Sequence, residues 1–510
     1  MNPNADVNKT IEMVKTARTN PDEALTKAFT QSGSAISGIT AYSLEAPAKQ
    51  IYPVHTPLRN MIPRVGGGAG IQANWRAVVG INSAHISPGV GEGNRGGVIS
   101  TATADYIAIF RALGLDDNVT FEADMAAEGM DDLKNLSVTG LLRSLMIAEE
   151  NVILGGNGTR LLGTTPTPTA TQSTGGTLAD ASYQLICVAL TLDGWNAVAG
   201  MNNGTTGESL NPATAKVPGA ISRTNADGSV DTYGGGSAAK SAAAAATVSS
   251  GSNTASITAH VAAVPGAVAY AWFFGTSGSE KLNQVTTINS VKITAVSDSG
   301  AQNASALSGD NSKNALIFDG LLAQCFVSGS GAYLKTLATG TDGVGTYLAS
   351  NGQGGVTQID DAFAAFWNSY RLSPGYIVVN AQELKNITGI VIKNGGAPLI
   401  RLNAMANASN TIVAGTRVGT VLNTITGEEV TLLLHANCPP GTILFWSKDL
   451  PYKLPGVTNT TQMKLRREYY QIEWPLKSRK WEYGIYMDGV LQHYFPPSMG
   501  VINNIANGIG

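Results

Sequence analysis

The clearest hydrophobic pattern in the chain is helical and covers about residues 130–154. Apolar residues repeat there at intervals of three and four, from Leu133 to Val152. Other faces of this segment are apolar as well, and Gly155-Gly156 ends it. A helix with apolar residues on several faces has to be covered on several faces, so the pattern predicts a long, buried helix.

Alternating patterns predict strands on both sides of this helix. Loose alternation over about 66–112 surrounds the glycine-rich SPGVGEGNRGG, which predicts a long hairpin with a flexible tip. Pro57 and Pro63 come just before it and predict a stiff, strand-like lead-in. After the helix, TTPTPTATQSTGG at 164–176 is linker-like, and short β-like runs up to about residue 310 predict a small β-sandwich.

The rest of the chain predicts a mixture of helices and strands. Thr357 with Asp360 forms a capping-box pattern before one helix, and Asn380 with Glu383 caps a second. YIVVN predicts a strand between them, and strand-like runs continue to KWEYGIYMDGVLQHYF. Residues 1–50 read as an arm with one weakly amphipathic helix near 10–29. The expected fold class is therefore α+β.

Charged residues make up only 14% of the 510 residues, against about 25% in typical soluble domains. This favours a protein whose surface is largely covered by neighbouring molecules. The net charge of −3 gives no electrostatic case for binding nucleic acid or a membrane surface. There is no apolar signal-peptide core and no apolar run of membrane-spanning length, which predicts a cytoplasm-like environment. The separated Cys187, Cys325 and Cys438 predict buried free thiols.

Motifs that suggest chemistry are weak. Gly91-x-Gly93-x-x-Gly96 lacks the strand and helix of a dinucleotide site, so a hairpin tip is favoured. The five histidines show no metal-binding spacing. Adjacent acids point in different directions on a helix, which favours helix-start and surface roles over acid–base chemistry. These acids are Asp116-Asp117, Asp131-Asp132 and Glu149-Glu150. The sequence predicts no catalytic residue, cofactor or metal.

A basic and aromatic cluster lies near the C-terminus. Lysines and arginines between Lys464 and Lys480 alternate with Tyr469, Tyr470 and Trp474, a pattern that nucleic-acid sites also show. Glutamates at 468, 473 and 482 are mixed in with them. Ion pairing between strands or between subunits is therefore the favoured interpretation.

Four stretches, taken in order, resemble the major capsid proteins of tailed bacteriophages, which have the Hong Kong-97 type of fold. They are TPLRNMIPRVGGG, LRSLMIAEENVILGGNGT, SPGYIVVNAQELKNITGI and REYYQIEWPLKSRKWEYGIYMDGVLQHYFPPSMGVINNI. A fifth stretch, ITAHVAAVPGAVAYAWFFGTSG, resembles an immunoglobulin-like or fibronectin type III-like domain. The order of the stretches makes the resemblance specific.

The resemblance implies a domain organisation. The expected parts are an N-terminal arm (1–50), a first peripheral part (51–163) with an extended loop (66–112) and spine helix (130–154), an inserted β-sandwich (164–312), an axial domain (313–455) and a second peripheral part (456–510). The insertion is expected on the outer surface of an assembly. Because it interrupts a fold that is complete without it, deletion of about 165–310 is expected to leave assembly possible.

The resemblance also implies a function. The chain is expected to be a structural protein of the virion, not an enzyme, assembling with itself as hexamers and pentamers into an icosahedral head that encloses double-stranded DNA by non-specific proximity. Scaffolding, portal and decoration proteins are expected partners, with assembly in the bacterial cytoplasm. The expected subunit-interface residues are Arg59, Arg64, Trp75, Arg95, Arg466, Arg467 and Glu468.

Three details follow from the resemblance. Gly66-Gly67-Gly68 would let the loop swing over the adjacent subunit, and Arg59 and Arg64 would pair with a neighbour's carboxylates. Some family members cross-link a loop lysine to an asparagine of a neighbour. No lysine lies between Lys49 and Lys134, so we expect that cross-link to be absent.

Three alternatives stay open at this point. A secreted adhesin or surface-layer protein would have a similar composition but should carry an export signal. A carbohydrate-active enzyme with an accessory β-module would need two suitably separated carboxylates in a cleft. A cellular nanocompartment of the same fold is disfavoured by the length and the insertion.

Overall fold

The computed structural model describes residues 53–82, 84–128, 132–199, 215–251, 253–394, 417–450, 457 and 459–509. The chain divides into two compact units, Met1–Tyr52 with Glu122–Leu136, and Pro53–Phe121 with Ser137–Gly510. The expected arm with its helix near 10–29, and the expected helix start at Met130, lie outside the described residues.

The described chain contains both helices and strands, with long runs of consecutive strands. The helices are α1 Pro57–Met61, α2 Phe121–Ala126, α3 Leu133–Gly155, α4 Leu192–Ala199, α5 Leu321–Cys325, α6 Thr357–Tyr370 and α7 Ala381–Asn394, with 3-10 turns at Ala304–Leu307 and Pro496–Ser498. The strands are β1 Arg64–Val65, β2 Gln72–Ile81, β3 Thr101–Ile109, β4 Arg111–Thr120, β5 Thr169–Leu178, β6 Ala181–Leu190, β7 Ala220–Thr224, β8 Val230–Gly234, β9 Ala244–Val248, β10 Ala255–His260, β11 Ala269–Gly275, β12 Lys281–Thr286, β13 Ser290–Ile293, β14 Tyr333–Thr336, β15 Tyr376–Val379, β16 Thr420–Leu422, β17 Glu429–Leu434, β18 Ile443–Trp446, β19 Thr461–Glu473, β20 Lys480–His493 and β21 Gly500–Asn503. The expected α+β class is confirmed.

A four-stranded sheet carries the C-terminal strands. Its order is β1-β19-β20-β4, with the long hairpin β19–β20 in the middle. Strand β1 pairs in parallel with β19, from Arg64 beside Met463 to Val65 beside Lys464. The segment before the predicted hairpin is thereby attached to the C-terminal part of the chain.

A six-stranded sheet in the order β14-β21-β18-β15-β17-β16 forms a second layer. Helices α6 and α7 contribute Phe363, Phe366 and Ile387 to its hydrophobic core. The Asn380 side chain accepts hydrogen bonds from the backbone N–H groups of Gln382 and Glu383, at 2.7 and 3.1 Å, so the predicted cap of α7 is confirmed.

The predicted cap of α6 is wrong. Helix α6 is present, but its N-cap is Val356, and no side chain caps it. Thr357 is already the first helical residue. Asp360 instead accepts a hydrogen bond of 2.6 Å from the Asn351 amide in the preceding loop.

Two sheets pack face to face between residues 169 and 293. Their orders are β13-β10-β5 and β12-β11-β6-β9. They share one hydrophobic core, to which Ile257 and Ile293 contribute from the first sheet and Leu185, Trp272 and Phe274 from the second. We call these two sheets and their connecting loops the two-sheet unit. The domain bounds expected around it stay predictions.

Two local expectations differ from the structure. The lead-in before the hairpin is not strand-like throughout, because Pro57 begins the short helix α1 and extended backbone returns at Ile62. The expected linker 164–176 is largely strand β5, which pairs with β10 from Thr169 to Thr174. Threonine favours strands, and β10 supplies the partner that the local sequence does not reveal.

Cys187, Cys325 and Cys438 are buried and free, as predicted, and burial raises the pKa of each thiol. Within the described ranges, no helix is both long and apolar enough to cross a membrane.

His493 makes the fold sensitive to acid. Burial lowers the pKa of His493 to about 4 from its ordinary 6.5. The unfolded chain therefore takes up this proton as the pH falls below 6.5, whereas the folded chain resists until about 4. Between these values folding stability is lost, by up to about 3 kcal/mol.

We expect His493→Phe to lose less stability than the unsubstituted chain when the pH falls from 7 to 4.5. Urea unfolding curves at both pH values measure this difference. Equal losses in the two proteins would contradict the assignment.

Candidate functional site

Two adjacent carboxylates near the end of α3 are completely buried. Glu149 and Glu150 are both 0% exposed, and the neighbouring apolar residues Leu145 and Ile153 are buried as well. The expected surface role of this acidic pair is therefore wrong. A buried charge is tolerated only when it is paired and hydrogen-bonded, so the partners of these two residues define the site.

Glu149 pairs with two arginines from the lead-in. Its carboxylate accepts hydrogen bonds from Arg59 Nε at 3.0 Å and from Arg64 Nη1 at 2.6 Å. Tyr469 of β19 donates its hydroxyl to the same carboxylate, and both guanidinium groups lie about 5 Å from the Tyr469 ring centre. Burial, followed by the neighbouring Glu149 charge, raises the pKa of Tyr469 to about 12, so the phenol keeps its proton.

Glu150 caps helix α1 from a distant part of the chain. Thr56, the N-cap residue of α1, makes no side-chain capping bond. Glu150 Oε1 and Oε2 instead accept the N–H groups of Leu58 and Arg59, at 2.9 and 2.7 Å. A carboxylate at this end also complements the helix dipole. This long-range cap explains why five residues suffice for a helical turn here.

His435 completes the surroundings of Glu150. The Asn437 N–H donates to His435 Nδ1 at 3.1 Å, so the imidazole proton is on Nε2. His435 Nε2 donates it to Glu150 Oε1 at 2.7 Å, and both side chains are buried. We call Glu149, Glu150, Arg59, Arg64, Tyr469 and His435 the charge cluster. It ties α1, α3, β19 and the residues after β17 together.

The glycine segment after the lead-in is held against β19. Lys464 Nζ donates to Gly66 O at 2.8 Å, and Gly68 N–H donates to Leu465 O at 2.8 Å. A Cβ at Gly68 would lie 2.8 Å from that same carbonyl oxygen. The close approach of two backbones therefore requires glycine at position 68. Its role as a hinge stays a prediction.

The predicted hairpin is present as the two-stranded sheet β2–β3. Ala73, Trp75 and Ala77 lie opposite Ala108, Tyr106 and Ala104, which places small and aromatic side chains on one face. Trp75 stacks on Tyr106 with ring centres 5.8 Å apart and meets Tyr494 edge-on at the hairpin base. Between the two strands, residues 84–100 lie in neither helix nor strand and contain the Gly91-x-Gly93-x-x-Gly96 sequence, as predicted.

The opposite face and the tip of the hairpin expose large apolar side chains. Exposed fractions are 61% for Val78, 72% for Ile81 and 62% for Ile107 on that face, and 90% for Val98 in the tip. The same face carries one well-formed ion pair, Arg76 with Asp105. An isolated two-stranded hairpin is marginal in water, and clustered exposed apolar side chains mark interaction surfaces.

The structure brings five of the seven expected interface residues to two places. Arg59 and Arg64 belong to the charge cluster, and Glu468, 64% exposed, pairs with Arg64 at 3.2 Å. Both arginines therefore pair with carboxylates of their own chain, which differs from the expected pairing with a neighbour. Trp75 and Arg466 lie at the hairpin base, where Arg466 Nη1 donates to Gly70 O at 2.9 Å.

The two remaining expected residues lie elsewhere. Arg95 is exposed in the hairpin tip. Arg467 is exposed on β19 with its guanidinium 4.3 Å from the Tyr470 ring centre. The interface role of all seven residues stays a prediction. The expected inter-strand ion pairing of the C-terminal cluster is represented by Arg466 and Asp488, at 3.6 Å across β19 and β20.

Sequence reasoning missed four members of the charge cluster: Glu149, Glu150, Tyr469 and His435. One signal could have found the glutamates. They interrupt the apolar run SLMIAEENVILGG, and no lysine or arginine lies within one helical turn of them. Charges in such a setting need partners from other parts of the chain. Across the described ranges, no group of three or more His, Cys, Asp or Glu residues could hold a metal ion.

Comparisons with known proteins gave matches to solved structures only. No protein-family model matches the chain, and no curated protein matches it. The chain is similar to the capsid of a native GTA particle, with 9% identity over 94% of this chain and 100% of that chain, at a TM-score of 0.42. It is also similar to the capsid of Myoviridae phage XM1, with 9% identity over 93% of this chain and 100% of that chain, at a TM-score of 0.40. For the capsid of cyanophage P-SCSP1u the identity is 6% over 92% of this chain and 94% of that chain, at a TM-score of 0.39.

From the charge cluster we expect two neutral substitutions to lower folding stability by different amounts. Glu149→Gln leaves two largely buried guanidinium groups without their shared carboxylate and should cost about 3–5 kcal/mol of folding stability. Glu468→Gln removes an exposed carboxylate from the same Arg64 and should cost less than about 1 kcal/mol.

Chemical unfolding of the two variants beside the unsubstituted protein measures both costs. Glu468→Gln is the matched control, since it changes the same functional group beside the same arginine. Equal costs would contradict the role given to Glu149.

Proposed function

We propose that this chain is the major capsid protein of a tailed, double-stranded DNA bacteriophage. It assembles as hexamers and pentamers into the icosahedral head that encloses the genome. The observation that carries the proposal is the hairpin β2–β3, with apolar side chains exposed on its strands and tip. A second copy of the chain would cover them.

The charge cluster supports this proposal by giving the hairpin a defined starting point. Buried ion pairs join the lead-in to the end of α3, and the Tyr469 hydroxyl joins β19 to the same carboxylate. Hydrogen bonds from Lys464 Nζ to Gly66 O and from Gly68 N–H to Leu465 O attach the glycine segment to β19. Repeated assembly of identical subunits needs this kind of defined geometry at the interface. The low charge content is consistent with extensive coverage by neighbours.

The sequence resemblance supports the same proposal, because its stretches coincide with these elements. TPLRNMIPRVGGG covers α1 and β1, and LRSLMIAEENVILGGNGT covers the end of α3 with both buried glutamates. The remaining two stretches cover β15 with most of α7, and the end of β19 through β21.

The proposal includes partners and a location. Scaffolding and portal proteins would assist assembly, a decoration protein could bind outside, and packaged DNA would lie nearby without specific contacts. The chain would be assembled in the bacterial cytoplasm and reside in the virion. It would act structurally and not as an enzyme. No observation in the described residues favours a secreted adhesin or surface-layer protein.

Native mass spectrometry and negative-stain imaging of one purified fraction test the proposal. Rings of about six times the 52.8 kDa chain mass, or closed shells, would support it. The chain should also be expressed with the neighbouring genes, because a scaffold can be required. A strictly monomeric protein under both conditions would contradict the proposal.

If neighbouring subunits bury the exposed apolar side chains of the hairpin, charged substitutions there should reduce assembly. Val98→Asp with Ile107→Asp places charges where a neighbour would bury them, and should lower the assembled fraction at least about 10-fold. Val230→Asp is the control, because Val230 is 61% exposed on β8, outside the hairpin. Sedimentation velocity gives the assembled fraction, and circular dichroism checks the fold. Normal assembly of the double variant would contradict the role of the hairpin.

A second prediction concerns covalent links. Because no lysine lies between Lys49 and Lys134, the hairpin has no side-chain amine to join to an asparagine of a neighbour. Denatured mature particles should therefore give the single-chain mass. Covalent multimers in intact-mass spectra would overturn this expectation.

A further inference from the structure

We propose that the two-sheet unit is an integral part of the folded body, with Asn289 as the residue that positions it against the six-stranded sheet. This inference does not depend on the proposed function. It bears on the expectation that deletion of about 165–310 leaves assembly possible, because the deletion would remove contacts that stabilise the six-stranded sheet. Its basis is a set of buried hydrogen bonds across the junction between the two-sheet unit and the six-stranded sheet.

The centre of the junction is a reciprocal pair of asparagines. Asn289 precedes β13 of the two-sheet unit, and Asn504 follows β21 of the six-stranded sheet. The Asn289 N–H donates to Asn504 Oδ1 at 2.8 Å, and Asn504 Nδ2 donates to Asn289 Oδ1 at 3.0 Å. The two side chains are only 3% and 5% exposed.

Both amide groups use their remaining hydrogens in the same junction. Asn289 Nδ2 donates to Val261 O at 2.6 Å and to Thr339 Oγ1 at 2.9 Å. Asn504 Nδ2 donates to Leu337 O at 2.7 Å. Buried amides are stable only when such bonds are made. If either partner is removed, the other keeps unpaired polar atoms away from water.

Asn504 also has an unusual backbone. Its φ of 64° lies in the left-handed region, which costs energy for residues other than glycine, although asparagine tolerates it best. The turn at Asn504 follows β21 where that strand runs beside β14. Asn289 therefore stabilises a strained corner at the ends of two strands of the other sheet.

The loop around Gly343 also makes close contacts with the two-sheet unit beside the asparagine pair. Gly343 N–H donates to Ser290 Oγ at 3.1 Å, and a Cβ at Gly343 would lie 2.7 Å from the Cβ of Lys292 on β13. His260 Nδ1 and Asp342 Oδ2 are 3.0 Å apart. The loop that contains Asp342 and Gly343 thus lies directly on the two-sheet unit.

A second set of contacts involves the connection between β10 and β11. Arg160 follows α3 and donates from Nη1 to Phe326 O at 2.7 Å and from Nη2 to Pro265 O at 3.0 Å. Pro265 belongs to the turn between β10 and β11. The unit is therefore held by Arg160 as well as by Asn289, which opposes free rotation about its chain connections.

Those connections are themselves joined. Leu162 N–H donates to Ser312 Oγ at 2.8 Å, and Gly163 N–H donates to Asp310 Oδ2 at 2.6 Å. The chain enters and leaves the unit side by side, so residues 164–310 can be removed and the ends joined by two glycines. Consistent with the proposal, the two-sheet unit and the six-stranded sheet fall into the same compact unit of the chain.

Hydrogen exchange of the full chain tests the assignment of Asn289. Asn289→Ala should speed amide exchange in residues 337–345 and 500–509 by about 10- to 100-fold, since unpaired buried polar groups destabilise that corner. Asn283→Ala is the matched control. Among the described residues, the Asn283 amide donates to Ala295 O and Ser297 Oγ, both outside those two segments.

The exchange rates of the two variants distinguish a specific role of Asn289 from a general loss of stability. Faster exchange in these segments with Asn289→Ala alone supports the proposal, whereas unchanged exchange, or an equal increase in both variants, overturns it. If Asn289→Ala is not soluble, Asn504→Gly, which keeps the left-handed backbone, should give the same local increase. A 164–310 deletion that folds with unchanged exchange in both segments would also overturn the proposal.

Discussion

The buried carboxylates of Glu149 and Glu150 impose the constraint on which the position of the hairpin depends. Each is fully buried, and a buried charge without partners would unfold the region. The two arginines of the lead-in and the N-terminus of α1 supply those partners. Helix α3 therefore holds the lead-in at one place, and the backbone contacts of the glycine segment direct it along β19 into the hairpin.

The same physical principle operates at the junction of the two-sheet unit. Asn289 and Asn504 are buried polar residues whose hydrogen bonds can be made only when two sheets meet. In both places polar groups, and not apolar packing alone, determine the relative position of elements that are distant in sequence. Hydrophobic cores tolerate small shifts more readily than hydrogen bonds do, because the bonds depend on distance and angle.

Local patterns predicted many elements correctly. The repeat on α3, the alternation of β2 and β3 and the Asn380 cap of α7 all depend on residues close in sequence. Predictions failed where a distant partner competes with the local signal. Thr357 and Asp360 satisfy the capping pattern, yet Asp360 is bonded by Asn351 instead. The sequence of β5 is typical of a linker, but the segment forms a strand because β10 pairs with it.

The sequence by itself determined the α+β class, the long helix, the hairpin with its glycine-rich tip and the buried thiols, because periodicity, turn residues and residue type act locally. Only the tertiary structure determined which partners the buried charged side chains have. Glu150 caps a helix 92 residues away in sequence, and Arg64 meets Glu149 across a similar distance. Such pairings depend on which strands and helices lie side by side in the folded chain, and no local pattern records that.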